Sequence, residues 1–269
     1  MIRDITIGQY YPASSILHKL DPRVKFVGAM LFVISLFILQ TWAGYAVATL
    51  FLGSLIVISK VPFGFMIKGL RAILVIMMFT MIFNILFTPG ATVLWRWGII
   101  RITVEGLTIA GKMMLRLIYL ILGSSLMTLT TTPTQLTSAL ERLLRPLNKI
   151  KVPVHEIAMM MSIALRFIPI LLEETDKIIK AQTARGADFE SGGLLKRVKS
   201  MIPLLVPLFV SAFRRADDLA MAMEARCYHG GHGRTQMKPL IYQRRDILGY
   251  LILGLYLAVC VAVTYVWRI

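Results

Sequence analysis

The sequence predicts an all-α membrane protein with about five transmembrane helices and a cytoplasmic domain of about three helices, two of them long. Hydrophobic residues make up 57% of the 269 residues and charged residues only 16%, whereas soluble domains carry about 45–50% and about 25%. The hydrophobic residues are concentrated in long stretches without charge. Between Glu141 and Asp246, in contrast, there are 18 basic and 11 acidic residues. This charged stretch is therefore predicted to be solvated, and the remainder to lie in a bilayer.

The uncharged stretches locate the transmembrane helices. A helix that crosses a hydrocarbon core about 30 Å thick needs about 17–25 apolar residues. The stretch Phe26–Ser59 holds 34 residues without charge, which suffices for two short spans joined by a tight turn at Gln40–Gly44. One span each is predicted in the remaining three stretches: Ala72–Trp95, Leu117–Leu140 and Ile247–Trp267.

Two short segments are expected to end helices within these stretches. Thr88-Pro89-Gly90 should stop the third span, and Thr130-Thr131-Thr132-Pro133 should stop the fourth, because proline and glycine interrupt helices. The chain is then divided into a transmembrane region of about four spans at 1–132, a cytoplasmic helical domain at 133–243 and a C-terminal transmembrane helix at 244–269.

The distribution of lysine and arginine predicts the orientation of the chain in the membrane. With the N-terminus in the cytoplasm, the inner segments hold 25 basic residues and the outer segments three. Cytoplasmic segments of membrane proteins carry such an excess, so the N-terminus is predicted inside and the C-terminus outside. The same rule accounts for the net charge of +16, and a nucleic-acid partner is not predicted.

The charged domain is predicted to contain three helices. They lie near Thr134–Leu144, His155–Arg185 and Lys199–Arg226. The apolar runs inside the two long helices are too short to span a bilayer and fit buried or interfacial helices better. Internal prolines should bend these helices or delay their start; they are Pro169, Pro203 and Pro207.

One segment resembles a phosphate-binding loop. Gly106–Met113 nearly matches G-x-x-x-x-G-K-[ST], but Met113 replaces the residue that holds Mg²⁺. The segment also lies in an apolar helix, where the backbone N–H groups are already used. We find no set of nucleophile, base and orienting residue elsewhere. The chain is therefore predicted to have no catalytic site and no cofactor of its own.

Two other groups of residues have more than one interpretation. The pair His229 and His232 lies in a glycine-rich turn without further ligands at a suitable spacing, so a metal site is not predicted. Lys112 and Arg116 lie four residues apart on one helical face. They either reach toward the outer headgroups or line an interface with another membrane protein.

A short pattern occurs twice, once near the end of each long helix of the charged domain. Ala181–Gly186 and Ala222–Cys227 share A-x-x-A-R followed by a small residue. The pattern fits an ordinary helix end, because glycine favours the left-handed C-cap and a cation is favoured near a helix C-terminus. It also fits partner docking, because the small neighbours leave the guanidinium free to bind a carboxylate with two hydrogen bonds.

Together with further motifs, these residues resemble the transmembrane T component of energy-coupling factor (ECF) transporters, EcfT. The resemblance covers essentially the whole chain. Its motifs are Leu20-Asp21-Pro22-Arg23-Val24-Lys25, Leu165-Arg166-Phe167-Ile168-Pro169, Ala181–Asp188, Phe213–Asp218, and Met223–Arg226 with the glycine-rich segment after it.

The resemblance implies a scaffold subunit of an importer. Members of the family join two cytoplasmic ABC ATPases, where ATP and Mg²⁺ bind, to a membrane S component that binds a vitamin or related micronutrient. The two Ala-Arg-Gly motifs end coupling helices that dock on the ATPases. The docking residues implied here are Ala184, Arg185, Gly186, Ala225, Arg226 and Cys227. Cys227 departs from the usual glycine, which puts the geometry of that helix end in question.

Two other functions remain open at this point. The first is the permease of an ordinary ABC importer, since Glu224-Ala225 and Gly230 resemble part of the E-A-A…G loop of such permeases, although the I-x-L-P element is absent. The second is a membrane scaffold without a transport role. The substrate is not specified by this sequence, because the resemblance assigns substrate binding to another chain.

Overall fold

The computed structural model describes residues 10–90, 92–97, 100–187, 189, 193, 199–231, 237 and 239–266. Helices dominate this part of the chain, as predicted for an all-α membrane protein. The elements are α1 (Pro22–Ile38), α2 (Trp42–Ser59), α3 (Phe63–Phe87), β1 (Val93–Trp97), β2 (Ile100–Thr103), α4 (Val104–Thr130), α5 (Pro133–Leu144), a 3₁₀ helix (Arg145–Ile150), α6 (Val154–Ala184), α7 (Ile202–Glu224) and α8 (Arg244–Val266).

The described residues form two compact units, which we treat separately. The bundle unit holds the described residues up to Ala139 and from Pro239 onward, and therefore contains α1–α4 and α8. The motif unit holds the described residues between Leu140 and Lys238, including α6 and α7. The boundary passes through α5.

Most predicted helix boundaries are confirmed. α1 ends at Ile38 and α2 begins at Trp42, so the long uncharged stretch does form two helices. The Thr41 side chain caps α2 by accepting a hydrogen bond from the Gly44 N–H at 3.2 Å. α3 stops one residue before Thr88-Pro89-Gly90, and α4 stops at Thr130. Pro203 lies in the first turn of α7, which confirms the delayed start, and α6 continues through Pro169.

By length and apolar composition, four described helices could cross a membrane, namely α2, α4, α6 and α8; α3, bent by 59°, brings the number to five. The chain is thus a multi-pass membrane protein. These candidate spans differ from the predicted ones, because α6 is included and α1 is not. α1 has only 17 residues, about 25 Å of helix. α6 is included because it remains apolar beyond Arg166, so its apolar length exceeds the uninterrupted run Ile157–Leu165.

The bundle unit is centred on α4, which packs against α1, α2 and α3, while α8 packs against α1 and α2. Its core includes Phe32, Leu36, Tyr45 and Leu126. Hydroxyl pairs join the helices: Ser35 Oγ lies 2.8 Å from the Tyr256 hydroxyl, and Thr49 Oγ1 lies 2.6 Å from the Tyr119 hydroxyl. Interhelical hydrogen bonds of this kind stabilise helix bundles in membranes. Because lipid tails are as apolar as the side chains, the hydrophobic effect does not hold such helices together.

A buried polar cluster, formed by Asp21, Arg23, Lys25 and Asp246, joins three elements at one end of the bundle unit. The two Asp246 oxygens accept hydrogen bonds from the backbone N–H of Asp21 at 2.8 Å and of Gln243 at 2.7 Å. Arg23 binds the Asp21 carboxylate through Nε at 3.1 Å and Nη2 at 2.9 Å. Lys25 Nζ donates to the Thr130 carbonyl at 2.8 Å. The cluster therefore connects the starts of α1 and α8 to the end of α4.

The charge state of Asp21 follows from these contacts. Burial raises the pKa of its carboxyl, but the hydrogen bonds and positive charge of Arg23 lower it by more, so that the pKa lies below its usual value. Asp21 is therefore ionised at neutral pH, as its pairing with Arg23 requires.

The α1–α2 turn is held by the two cations of α4. Arg116 Nη2 donates to the Leu39 carbonyl at 3.3 Å, and its guanidinium lies 5.4 Å from the centre of the Phe37 ring. Lys112 Nζ lies 5.8 Å from the centre of the Trp42 ring. Both side chains thus contact the protein itself, a third arrangement besides headgroup contact and a protein interface.

A short antiparallel hairpin joins α3 to α4 and was not predicted. β1 pairs with β2 from Val93 opposite Thr103 to Trp97 opposite Ile100. At its base, the Thr103 side chain caps α4 by accepting from the Gly106 N–H at 3.1 Å, and Thr92 Oγ1 donates to Glu105 at 2.9 Å. The hairpin is too short to produce a clear alternating pattern in the sequence.

The motif unit is organised around α6 and α7, which pack against each other. Arg215 Nη2 of α7 lies 3.2 Å from Glu174 Oε2 of α6. At the start of α6, His155 Nδ1 lies 2.8 Å from Glu141 Oε1 of α5. The helices at Thr134–Leu144, His155–Arg185 and Lys199–Arg226 are confirmed to within a few residues.

Candidate functional site

The repeated pattern of the motif unit ends α6 in a Schellman motif. The N–H of Gly186 donates to the Thr183 carbonyl at 2.9 Å, and the N–H of Ala187 donates to the Gln182 carbonyl at 3.0 Å. Gly186 adopts a left-handed backbone with φ of +87°, a conformation that glycine reaches without the steric cost of a Cβ. These bonds complete the helix end, and they place Arg185 at the C-cap.

The second copy of the pattern ends α7 with the same set of hydrogen bonds. The N–H of Cys227 donates to the Glu224 carbonyl at 2.8 Å, and the N–H of Tyr228 donates to the Met223 carbonyl at 3.1 Å. Cys227 takes the left-handed conformation with φ of +54°. A residue with a Cβ is disfavoured there by about 1–2 kcal/mol. The departure from glycine thus leaves the cap geometry intact, and Arg226 occupies the position equivalent to Arg185.

The two arginines share the same surroundings. Both are exposed, as are Ala184 and Ala225 before them and Gly186 and Cys227 after them. Within the part of the chain that the structure describes, neither guanidinium forms an ion pair. The structure therefore presents two equivalent helix ends, each with an arginine that lies between small residues and has no ion-pair partner among the described residues.

This arrangement suits recognition of an acidic surface. A guanidinium presents its donors in a planar fork that matches a carboxylate, and small neighbours allow another chain to approach the helix end closely. The negative end of the helix dipole favours the arginine where it is. Because the cap hydrogen bonds fix the backbone, both arginines are held at the ends of rigid helices.

Contacts within the motif unit hold the segment after α7 in place. Gly231 lies against the His155 ring, and a Cβ added at Gly231 would be 2.5 Å from His155 Cδ2. Only glycine fits at this distance. The chain that follows Arg226 is thereby tied to the start of α6, which itself contacts Glu141.

The remaining sequence candidates are not brought into a site. Gly106–Met113 lies entirely within α4, so its backbone is helical, and it cannot form a phosphate loop. Among the described residues there is no group of three or more His, Cys, Asp or Glu side chains that could hold a metal ion. His232 and Gly233, part of the glycine-rich turn considered above, lie outside the described residues.

The role of Asp246 was not predicted from the sequence, where this residue was counted only as one of the acidic residues of the charged stretch. Asp246 is 2% exposed, and its carboxylate accepts hydrogen bonds from the backbone N–H groups of Gln243, just before α8, and of Asp21, just before α1. Its position directly before the last uncharged stretch, where the first turn of a helix favours a carboxylate, was the available signal.

Comparison with known proteins extends these observations. A family model described as cobalt transport protein, CbiQ, matches residues 13–238. The energy-coupling factor transporter transmembrane protein EcfT of Ruminiclostridium cellulolyticum is 58% identical over 248 residues, 92% of each chain. The EcfT protein of Bacillus subtilis is 49% identical over 246 residues, 91% of this chain and 93% of the relative. That of Thermosediminibacter oceani is 48% identical over 266 residues, 99% and 100% of the two chains.

Proposed function

Because this chain belongs to the CbiQ family and is an EcfT-type transmembrane component of energy-coupling factor transporters, we propose that it links two cytoplasmic ABC ATPases to a substrate-binding membrane S component. The observation that carries this proposal is the pair of identical helix ends at Arg185 and Arg226. Two equivalent docking ends match two ATPase subunits. ATP hydrolysis in the ATPases would then move α6 and α7, and this motion would drive uptake.

The substrate proposed is a vitamin or related micronutrient. Selection among substrates would belong to the S component, as membership of the family of energy-coupling factor transporters implies. ATP and Mg²⁺ are assigned to the ATPases, because the segment Gly106–Met113 of this chain is helical and cannot form a phosphate-binding loop.

Coimmunopurification from a producing cell tests the proposal. The full chain, carrying an affinity tag, is expected to copurify with two ABC ATPases and with a small membrane protein that can be exchanged for another. The isolated chain is expected not to hydrolyse ATP. An ordinary importer permease would instead copurify with a second permease and an external binding protein, and a scaffold without a transport role would copurify without ATPases. Either result would refute the proposed function.

The orientation proposed for the chain places α6 and α7 at the cytoplasmic side. Basic residues flank α6 before its start, at Lys149 and Lys151, and near its end, at Lys177 and Lys180. The positive-inside rule therefore favours the cytoplasmic side for both ends of α6, so that the helix would lie along the membrane surface rather than cross it.

Native cysteines provide a test of this orientation. Cys227 is exposed at the end of α7, whereas Cys260 is buried in α8. In the chain produced without ATPases, a membrane-impermeant maleimide is expected to label inverted vesicles and not intact cells. Cys227→Ser should abolish the labelling and Cys260→Ala should leave it unchanged. Labelling of Cys227 in intact cells would contradict the cytoplasmic placement.

A further inference from the structure

The bundle unit contains an apolar cavity that the proposed docking function does not use. It has a volume of about 190 Å³ and is enclosed by α1, α2, α4, α8 and the segment before α1. Three of its walls contain a glycine, namely Gly28 of α1, Gly123 of α4 and Gly249 of α8. Gly28 leaves space there, because a Cβ added to it would have only Leu253 Cδ2 within 4.0 Å. At Gly123 and Gly249 an added Cβ would lie 2.8 Å from Phe32 and 3.0 Å from Leu20, so these two glycines allow the walls to pack closely.

The cavity opens sideways. The exposed residues of its lining are Ile58 of α2, Ile252 of α8 and Ile16 of the segment before α1, which are 42%, 52% and 65% exposed. Deeper in the bundle these two helices meet, and the rings of Phe51 and Tyr256 stack with centres 4.1 Å apart. α2 and α8 are therefore joined at Phe51 and leave an opening toward the outside of the bundle about 10 Å further along α2.

The end of the cavity nearest the polar cluster lies at the inner leaflet. Lys25 and Thr130, which line this end, belong to the end of the bundle that the positive-inside pattern places in the cytoplasm. Lys25 Nζ already donates to the Thr130 carbonyl, and Thr130 Oγ1 donates to the Leu126 carbonyl at 2.8 Å. The other lining side chains are hydrocarbon or thioether groups.

These features indicate which kind of molecule fills the cavity. A buried water needs two to four polar partners, and the two polar side chains of the lining are already hydrogen-bonded to the protein. An empty cavity would forfeit the dispersion contacts of its lining atoms. A hydrocarbon chain supplies those contacts without needing a hydrogen bond, and in a bilayer it is the species present at the opening.

We infer that this cavity is a binding site for one acyl chain of an inner-leaflet phospholipid, which enters between Ile58 and Ile252. The acyl chain then serves as part of the packing between α2 and α8. This inference depends on the position of the bundle in the membrane and not on the docking function, so that either can fail without the other.

Photolabelling of the unmodified chain tests the inference directly. The full chain is reconstituted in vesicles of phosphatidylethanolamine and phosphatidylglycerol that contain a phospholipid with a diazirine in the middle of its acyl chain. Leu55, Met127 and Ile252 of the lining are expected to be labelled about tenfold more than Val75 and Phe79, because a lodged chain stays near its contacts. Val75 and Phe79 are 75% and 66% exposed on α3. Equal labelling of the two sets would refute the site.

A variant that fills the cavity gives an independent test. A Cβ at Gly28 would have Leu253 Cδ2 at 4.0 Å as its nearest neighbour, and a Cβ at Gly53 of α2 would have none within 4 Å. Native mass spectrometry of the purified full chain is expected to find about one retained phospholipid, and Gly28→Leu should lower this occupancy about tenfold. Gly53→Leu, which adds the same side chain outside the cavity, should not.

Undiminished lipid in folded Gly28→Leu would overturn the inference, and the photolabelling decides the matter if that variant does not fold. The labelling is repeated in the assembled transporter. If the lining is labelled in the isolated chain but not in the complex, a side chain of a partner subunit fills the cavity in the assembled transporter, and the acyl-chain site is refuted.

Discussion

Replacing Arg185 and Arg226 together by alanine is expected to abolish both assembly with the ATPases and uptake, while membrane insertion stays normal. Each arginine occupies the C-cap of a Schellman motif and has no ion-pair partner within the described residues. If each pairs with a buried carboxylate in an ATPase groove, its removal costs about 3–5 kcal/mol, or about two to four orders of magnitude in affinity. A solvent-exposed pair would contribute only about 0–1 kcal/mol.

The single variants distinguish docking from coupling. Since two helix ends share the docking, Arg185→Ala or Arg226→Ala alone should leave part of the complex intact and reduce transport per ATP hydrolysed. Lysine at either position should restore only part of the affinity, because it keeps the charge without the planar fork. Copurification of both ATPases and substrate uptake in proteoliposomes are the measurements.

The structure also identifies the matched control for these variants. Arg214 is exposed on α7 away from the helix end, whereas its neighbour Arg215 lies 3.2 Å from Glu174 and contributes to the packing of α6 and α7. Arg214→Ala therefore removes an exposed arginine of the same helix without disturbing this ion pair. Normal assembly and uptake by the Arg185→Ala/Arg226→Ala protein would exclude the docking role.

Replacement of Asp246 by alanine is expected to lower the stability of the bundle unit by about 1–3 kcal/mol. The change leaves the backbone N–H groups of Asp21 and Gln243 without their acceptors at 2.8 and 2.7 Å. Asp21 is buried, and a buried donor without a partner costs about 1–3 kcal/mol, whereas Gln243 is exposed and its N–H can bind water. Thermal unfolding of the purified chain in detergent, followed by loss of the monodisperse peak on size exclusion, measures the effect.

Two variants determine which property of Asp246 matters. An Asn side chain has one acceptor oxygen where Asp has two, so Asp246→Asn can keep only one of the two backbone hydrogen bonds and should recover part of the stability. Asp217 is exposed on α7, and Asp217→Ala should change the stability by no more than about 0.5 kcal/mol. An Asp246→Ala protein that unfolds at the wild-type temperature would show that the buried cap contributes nothing.

The features that were predicted correctly are those encoded by neighbouring residues. The uncharged stretches and their prolines predicted α1–α4 and α8, since span length follows from bilayer thickness and helix ends follow from local proline and glycine geometry. The repeated A-x-x-A-R pattern predicted two helix ends, and the structure shows both as the same cap. In contrast, the run Ile157–Leu165, which Arg166 ends, did not show that α6 as a whole has the length and apolar composition of a membrane span.

The contacts that depend on distant residues could not be predicted in this way. Asp246 binds the backbone of Asp21, which is 225 positions away, and Arg116 binds the Leu39 carbonyl, which is 77 positions away. Neither pairing produces a periodic pattern or a characteristic spacing that could be recognised in the sequence.

The sequence by itself determined that the chain is an all-α membrane protein, where most of its helices begin and end, and which two arginines end its long charged helices. These properties depend on transfer of apolar stretches into lipid and on backbone geometry, both of which act over one helix or one turn. Only the tertiary structure decided which polar groups are buried together, how Lys112 and Arg116 are used, and where the helices leave a cavity. These depend on the packing of helices far apart in the chain, where a change of a few ångströms decides whether two side chains meet.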